Sequence, residues 1–353
     1  MRTGRLKRFL AKARPDWLRR TKRVPARPQR GSVNHVIILD GTMSSLDIGE
    51  ETNAGLIYKL VAEKAGAGMT VYYEAGIQWT SWRSTMDVLL GRGINRQIQR
   101  AYGHLASRYR PGDRIFLFGY SRGAYAARSL AGVIDRIGLL RAPQATERNV
   151  RQAYRLYQEC YDQTLIDRFA SGYCHPSVEI EMIGAFDTVK SLGLRLPFLW
   201  RLAENKHGFH NHALSACVKS GFHALALEET RQVYAPVMWE SDPDWAGRLE
   251  QVWFAGTHGD VGGQLGGFEA ARPLANIPLV WMLGQAEMRK LPLPVGWRDR
   301  FVMDVDAPSV GQWRGISKLF LLRKPRHVGT DPSERLHDSA IARGAYPTQG
   351  QLA

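Results

Sequence analysis

The pentapeptide at residues 119–123 constrains the fold of this chain more than any other feature. Gly119-Tyr120-Ser121-Arg122-Gly123 follows the apolar run 115–118 and precedes the alanine-rich segment 124–130. A G-x-S-x-G sequence between a short strand and a helix is typical of a sharp turn that lifts the serine Oγ above the end of a sheet. The glycines let the strand and the helix approach each other closely. The pattern predicts that Ser121 is a nucleophile, and a plain glycine-rich turn is the alternative.

Short apolar runs alternate with helical patterns along the body of the chain. Strands are predicted at 35–39, 69–73, 114–118, 178–186 and 251–255, and helices at 52–65, 94–109, 122–137, 148–170, 211–229 and 274–290. This alternation indicates an α/β fold of the α/β-hydrolase type, in which helices flank both faces of a mostly parallel central sheet.

Four of the predicted strands end in residues that can carry chemistry: Asp40, Ser121, Asp187 and His258. Ligand sites in parallel sheets form at the carboxyl ends of the strands, so we expect these side chains to lie near one another. Ser121, Asp187 and His258 also follow the order Ser, Asp, His of the α/β-hydrolases. They are therefore predicted to form a catalytic triad. The alternatives are a helix N-cap for Asp187 and an ordinary loop position for His258.

Asp260 is a second candidate for the acid that orients His258, because it lies two residues further along the same glycine-rich loop. Asp187 is preferred because it comes from a separate strand end, whereas Asp260 is expected to point away from the imidazole beside it. The sequence leaves this choice open.

An oxyanion hole requires two hydrogen-bond donors aimed at the developing negative charge. The backbone N–H of Arg122, directly after the nucleophile, is the first expected donor. The second is expected from the loop after the first strand, at Gly41 or Thr42. Asp40 either holds this loop by accepting backbone N–H groups or only begins a turn.

Composition limits the cellular setting. A chain of 353 residues with 44% apolar residues can bury one large core, with or without an added lobe. The three cysteines include no CxxC pair and indicate a reducing compartment. No apolar run approaches the roughly 20 residues that span a bilayer, and no signal peptide is apparent. A cytoplasmic location is expected, with peripheral membrane attachment or export by a specialised secretion system as alternatives.

The positive charge is concentrated at the N-terminus. Residues 1–30 contain twelve Lys or Arg and one acid, Asp16, in a chain with a formal net charge of +15. This basic arm, 1–32, is predicted to be either a disordered solvated tail or a tether to an anionic membrane surface. It lacks aromatic base-stacking motifs, so no nucleic-acid partner is predicted.

Several segments together resemble a known family. They are 40–42, Asn53 with the helix that follows, 119–124, 186–189, 223–229, 253–263 and 279–286. They are similar to an uncharacterised α/β-hydrolase family that includes the type VI secretion phospholipase effectors. The resemblance covers roughly residues 34–290, although Gln264 stands where a further glycine is usual. It implies a serine esterase with Ser121, Asp187 and His258 at the catalytic positions and a lipid or phospholipid ester as substrate.

The expected organisation is the arm 1–32, a catalytic domain 33–325 with rim segments at about 188–212 and 262–315, and a loose tail 326–353. No metal or organic cofactor is expected, and the segment with His207, His210 and His212 is not built like a metal-binding loop. The apolar segment 192–202 either lines the site rim or forms a buried cap. The sequence gives no oligomeric state. A small-acyl esterase, a thioesterase, an acyltransferase and a non-catalytic binding module remain alternative functions.

Overall fold

A seven-stranded, all-parallel sheet organises this protein. The structure, a computed structural model, describes residues 30–76, 92–189, 213–312 and 322–345. The strand order is β2-β1-β3-β4-β5-β6-β7. The strands are β1 Asn34–Leu39, β2 Met69–Glu74, β3 Arg114–Tyr120, β4 Met182–Phe186, β5 Ser220–Ala226, β6 Arg248–Phe254 and β7 Glu334–Leu336. The sheet belongs to one compact unit that begins at Val33.

Helices cover both faces of this sheet. They are α1 Asn53–Ala62, α2 Arg92–Ala106, α3 Arg122–Ile137, α4 Glu147–Glu159, α5 Gln163–Tyr173, α6 His258–Gly262, α7 Arg272–Met288 and α8 Asp338–Ala342. On one face of the sheet, an apolar cluster contains residues of the four helices α2, α3, α4 and α5 and strand residues such as Leu117. On the other face, a second cluster contains residues of α1 and α7 and the strand residues that alternate with the first set, such as Phe116 and Phe118. The predicted α/β fold with a parallel sheet covered on both faces is confirmed.

The central strands of the sheet are apolar on both faces. Phe116, Leu117 and Phe118 are successive residues of β3, and none is exposed to solvent. Burying each such side chain stabilises the fold by about 1.5–3 kcal/mol, and here every position contributes because both faces are covered. Among the described helices, none has both the length and the apolar character needed to cross a bilayer.

The helix predicted at 211–229 is wrong, because residues 220–226 form the central strand β5. Its segment Ala224-Leu225-Ala226 favours a helix locally, but all seven residues of β5 are buried, and the strand lies between the parallel strands β4 and β6. Tertiary burial on both faces therefore outweighs the local helix propensity. The predicted helix 148–170 is two helices, and Asp162 caps the second by accepting the N–H groups of Thr164 and Leu165.

The C-terminal segment differs from the expected loose tail. Residues 334–336 form the edge strand β7, which pairs with β6, and α8 follows directly. A short apolar cluster that includes Trp253, Val328 and Ala340 holds them against the sheet. The predictions for the arm up to residue 29 and for the segment 192–202 lie outside the described residues, as do those for the histidines at 207, 210 and 212.

Candidate active site

Ser121 lies in the turn between β3 and α3. Its backbone has φ +56° and ψ −120°, which a residue with a side chain rarely adopts. Such a conformation costs on the order of 1–3 kcal/mol and persists only where the surroundings enforce it. The Ser121 N–H donates to the carbonyl of Phe186 on the neighbouring strand at 2.9 Å. The strand–turn–helix context expected from the sequence is therefore present around this serine.

The glycines on either side of Ser121 allow close backbone contacts. A Cβ on Gly123 would lie 2.0 Å from the carbonyl oxygen of Leu39, at the end of β1. A Cβ on Gly119 would lie 2.6 Å from Cα of Ala124. The first turn of α3 therefore rests directly on the end of β1, and only glycine permits this distance.

His258 is the first residue of α6 and is 4% exposed. Its Nε2 lies 3.0 Å from Ser121 Oγ, and its Nδ1 lies 2.6 Å from Asp187 Oδ2. The three side chains that the sequence predicts as a triad are thus joined by two hydrogen bonds. In this arrangement the imidazole can accept the serine proton at Nε2 while Nδ1–H donates to the carboxylate.

Asp187 follows β4 directly and has the positive φ of +40°. Its side chain is fully buried, and Oδ1 accepts the N–H of Ala226 at 3.0 Å. Arg326 donates to both carboxylate oxygens, from Nη1 to Oδ1 at 2.5 Å and from Nη2 to Oδ2 at 2.8 Å. Burial alone would raise the pKa of Asp187, but the Arg326 cation, together with His258, holds it well below its usual range.

Asp260 has a different set of partners. It accepts the N–H and the hydroxyl of Thr257 at 2.7 and 2.8 Å, which completes a capping box at the start of α6. It also accepts the Ser309 hydroxyl at 2.6 Å and the Val310 N–H at 2.7 Å. Its carboxylate therefore holds the helix start and the 309–310 loop, while His258 pairs with the acid from β4.

Asn53 anchors the other end of α6. Its Nδ2 donates to the carbonyls of Val261 and Ala275, both at 2.9 Å, so it joins α1 to α6 and α7. Gly263 ends α6 with φ +74°, and a Cβ there would lie 2.4 Å from Asn53 Oδ1. The short helix that carries His258 is thus fixed at both ends.

Two tyrosine rings and a buried ion pair surround the His258 imidazole. Tyr234 stacks on it with centroids 4.4 Å apart, and Tyr120 is tilted against it at 4.9 Å. The Arg231 guanidinium lies 4.5 Å from the Tyr234 ring centroid and pairs with buried Glu229. Glu229 also accepts the backbone N–H of His258 at 3.1 Å.

The hydrogen bonds of the loop after β1 limit which backbone N–H groups can serve as oxyanion donors. The Gly41 N–H already donates to Asp40 Oδ1 at 2.6 Å, so it is used within the loop. Thr42 is the remaining candidate, and its carbonyl is fixed by Gln264 Nε2 at 3.0 Å. Arg122, as the first residue of α3, has a backbone N–H beyond the reach of the helical hydrogen-bond ladder. Of the three donors expected from the sequence, Thr42 and Arg122 therefore remain candidates, whereas the Gly41 N–H is already engaged.

Asp40 holds this loop in place. Its carboxylate accepts the Thr52 hydroxyl at 2.6 Å and the Tyr73 hydroxyl at 2.8 Å, in addition to the Gly41 N–H. Burial raises the pKa of Asp40 to about 6, although these donors act in the opposite direction. Of the two roles left open by the sequence, these contacts favour the one in which Asp40 holds the loop.

His223 is not on a helix, as the sequence suggested, but in the centre of β5. It is fully buried, and its Nε2 accepts the N–H of Thr188, the residue after Asp187, at 3.0 Å. Burial lowers the pKa of His223 to about 3, so the ring is neutral and can accept this bond. It therefore supports the loop that carries the acid.

Arg326 and Glu229 were missed by reasoning from the sequence. Arg326 lies within the segment expected to be a loose tail, and no motif surrounds it. Glu229 sits at the end of what looked like a helix. In the described ranges, no cluster of three or more His, Cys, Asp or Glu side chains is arranged to hold a metal ion.

The parallel sheet, the strained serine after β3 and the Ser–His–Asp hydrogen bonds define an arrangement typical of the α/β-hydrolase class. The family model of the type VI secretion phospholipase effector Tle1-like catalytic domain matches residues 34–285. The chain belongs to this family.

Three relatives illustrate the match. The uncharacterized protein YEL023C of Saccharomyces cerevisiae is 29% identical over 233 residues, which cover 59% of this chain and 33% of the yeast protein. The Tle1 effector, in a structure bound to the VgrG spike of the type 6 secretion system, has 20% identity and a TM-score of 0.40, and the match covers 67% of this chain and 52% of that one. An uncharacterized Pseudomonas aeruginosa protein has 17% identity and a TM-score of 0.40, with coverages of 78% and 48%. The chain thus spans about half or less of each relative.

Proposed function

We propose that this protein is a serine hydrolase that cleaves an ester bond of a lipid through an acyl-enzyme intermediate. The observation that carries the proposal is the hydrogen-bond chain from Ser121 Oγ through the His258 imidazole to Asp187. Membership of a phospholipase catalytic-domain family supports the lipid substrate.

The reaction follows from these contacts. Ser121 Oγ attacks the ester carbonyl while His258 Nε2 takes its proton, and the charge that develops on the carbonyl oxygen is met by backbone N–H groups of Arg122 and Thr42. His258 then returns the proton to the leaving alcohol. Water, activated by the same imidazole, frees the acyl group. Asp187 keeps Nδ1 protonated and stabilises the imidazolium in both steps.

Labelling with a fluorophosphonate tests the activated serine directly. We expect rapid labelling of the wild type at Ser121 and none in Ser121→Ala. In His258→Ala we expect labelling slower by at least about a thousandfold, since the general base is absent. Ser171→Ala, which changes an exposed serine on α5, is the matched control and should label like the wild type. A folded wild type that does not label would refute the proposal and favour a non-catalytic binding module.

A substrate with an anionic head group fits the site better than a neutral one. The Arg122 side chain, next to the nucleophile, is only 6% exposed, and its Nη1 has no hydrogen-bond partner. Burial lowers its pKa to about 10, so the guanidinium still carries its charge at neutral pH. Phosphatidylglycerol and diacylglycerol with the same acyl chains should therefore differ, with faster release of fatty acid from the phospholipid. Preference for short-chain esters or thioesters, or acyl transfer to an added alcohol, would favour the alternative enzymes.

We also propose that the basic arm is attracted to anionic membrane surfaces, because residues 1–30 hold twelve basic residues and one acid. Sedimentation with phosphatidylglycerol vesicles, but not with phosphatidylcholine vesicles, is the expected result. Export as an effector is a further proposal that rests on the family alone.

A further inference from the structure

We propose that Arg326 is a positioning residue of the active site that fixes the Asp187 carboxylate and offsets its charge. Arg326 lies well beyond residue 285, where the match to the family model ends. The inference rests on the proposed function, because it assigns a part in that reaction to a segment that the resemblance does not cover.

The Arg326 guanidinium is buried and held in one orientation by four hydrogen bonds. Its side chain is 4% exposed and bridges both oxygens of Asp187 in a fork. The same two nitrogens donate to the carbonyls of Ala226 at 2.7 Å and Tyr234 at 2.6 Å. The guanidinium is therefore fixed by β5 and by the segment carrying the tyrosine that stacks on His258. Lysine cannot reproduce such a fork, since it has a single nitrogen.

The contact with Arg326 fixes the orientation of the Asp187 carboxylate. The residue has φ +40°, so its backbone is strained, and its carboxylate must keep a fixed direction to accept Nδ1–H of His258. Arg326 Nη1 and the Ala226 N–H hold Oδ1, and Arg326 Nη2 holds Oδ2, the oxygen that also accepts from His258 Nδ1. Without the fork, the carboxylate can rotate, and the tautomer of His258 is no longer enforced.

The contact also sets the electrostatics of the imidazole. In the triad, an acid stabilises the imidazolium, and a cation on that acid weakens this stabilisation. The described groups that face His258 are Ser121, Tyr120, Tyr234, Asp187 and Glu229, with Arg231 and Arg326 behind them. Glu229 is paired with Arg231. Removal of the Arg326 charge therefore leaves the negative charge of Asp187 beside the imidazole uncompensated, and the acidic limb of the labelling rate should move to higher pH.

The experiment compares Arg326→Gln, Arg326→Lys and the control Arg335→Gln with the wild type. Arg335 is a half-exposed arginine of β7 that pairs with Glu250, away from Asp187. We measure the rate constant of fluorophosphonate labelling from pH 5 to 9. Arg326→Gln should label at least tenfold more slowly at its optimum, and its acidic limb should move upward by about one pH unit. Arg326→Lys should recover part of the rate and the original limb, and Arg335→Gln should match the wild type.

The outcomes separate this inference from the proposed function. An Arg326→Gln rate equal to that of the wild type, or a slower rate with an unmoved acidic limb, overturns the inference while the hydrolase stands. If the wild type does not label, the proposed function fails. The inference is then judged by the downfield proton NMR signal of His258 Nδ1–H, assigned by its loss in His258→Ala. Loss or shift of this signal in Arg326→Gln, but not in Arg335→Gln, supports the contact, and an unchanged signal overturns it.

Discussion

Substitution of Gly123 by alanine should separate the close approach of α3 to β1 from ordinary helix propensity. The added Cβ would lie 2.0 Å from the carbonyl oxygen of Leu39 and 2.5 Å from that of Asp40. Carbon and oxygen normally stay about 3.3 Å apart or more, so the start of the helix must move by about 1.3 Å. Both obstacles are backbone atoms at the end of a central strand, and a rotamer change cannot relieve them.

The expected cost follows from these distances. Overpacking a tight site costs about 1–3 kcal/mol, and this contact belongs at the upper end because backbone must shift. Alanine has a higher helix propensity than glycine, and this difference stabilises the variant by about 1 kcal/mol. The net loss is therefore about 2 kcal/mol, or roughly 3 °C in Tm for a chain of 353 residues. The displacement also moves Ser121 relative to the loop after β1, so labelling of Ser121 should slow by at least about tenfold.

Gly103→Ala is the matched control. Gly103 lies in α2, and a Cβ there would meet only Val150 Cγ2 at 3.5 Å, an ordinary contact. This variant should gain about 0.5–1 kcal/mol and label normally. Urea unfolding followed by circular dichroism measures both variants. If Gly123→Ala is as stable as Gly103→Ala, the close packing of α3 on β1 is incorrect, and the turn around Ser121 is looser than described.

Two further predictions concern the loop after β1. Burial raises the pKa of Asp40 from 3.8 to about 6, so burying the ionised carboxylate costs about 3 kcal/mol at pH 7, and this cost disappears as the pH falls to about 4. The free energy of unfolding of Asp40→Asn, relative to that of the wild type, should therefore rise by up to about 3 kcal/mol from pH 4 to pH 7. Urea unfolding at both pH values measures this difference, and a difference between variant and wild type that is the same at pH 4 and pH 7 would contradict the prediction. Gln264→Ala removes the donor to the Thr42 carbonyl and should slow labelling by roughly fivefold with little change in Tm, since one hydrogen bond contributes about 1 kcal/mol. An unchanged rate would show that the loop keeps its position without Gln264.

The sequence predicted those parts of the protein that depend on local pattern. The apolar runs of β1, β3 and β6 and the turn at Ser121 are visible because strand, turn and helix signals are adjacent in the chain. The prediction for β5 is wrong because its two alanines and its leucine favour a helix, and only its place between β4 and β6 makes it a strand. Arg326 could not be found at all, because its partner Asp187 lies 139 residues away and no periodic pattern links them. The sequence also does not distinguish Gly41 from Thr42 as the second oxyanion donor, because it does not show that Asp40 accepts the Gly41 N–H.

The balance of buried charge around the site explains why these long-range contacts matter. Asp187 is paired with Arg326, and Glu229 with Arg231, so each of these two buried carboxylates that contact His258 has its own cation. In the described part of the chain, the Arg122 side chain has no such acid, and its Nη1 has no hydrogen-bond partner. A buried cation without a partner is costly, and proteins keep such strain chiefly where it serves a ligand or a reaction. One unpaired positive charge next to the nucleophile would favour both an anionic substrate and the oxyanion formed when Ser121 attacks.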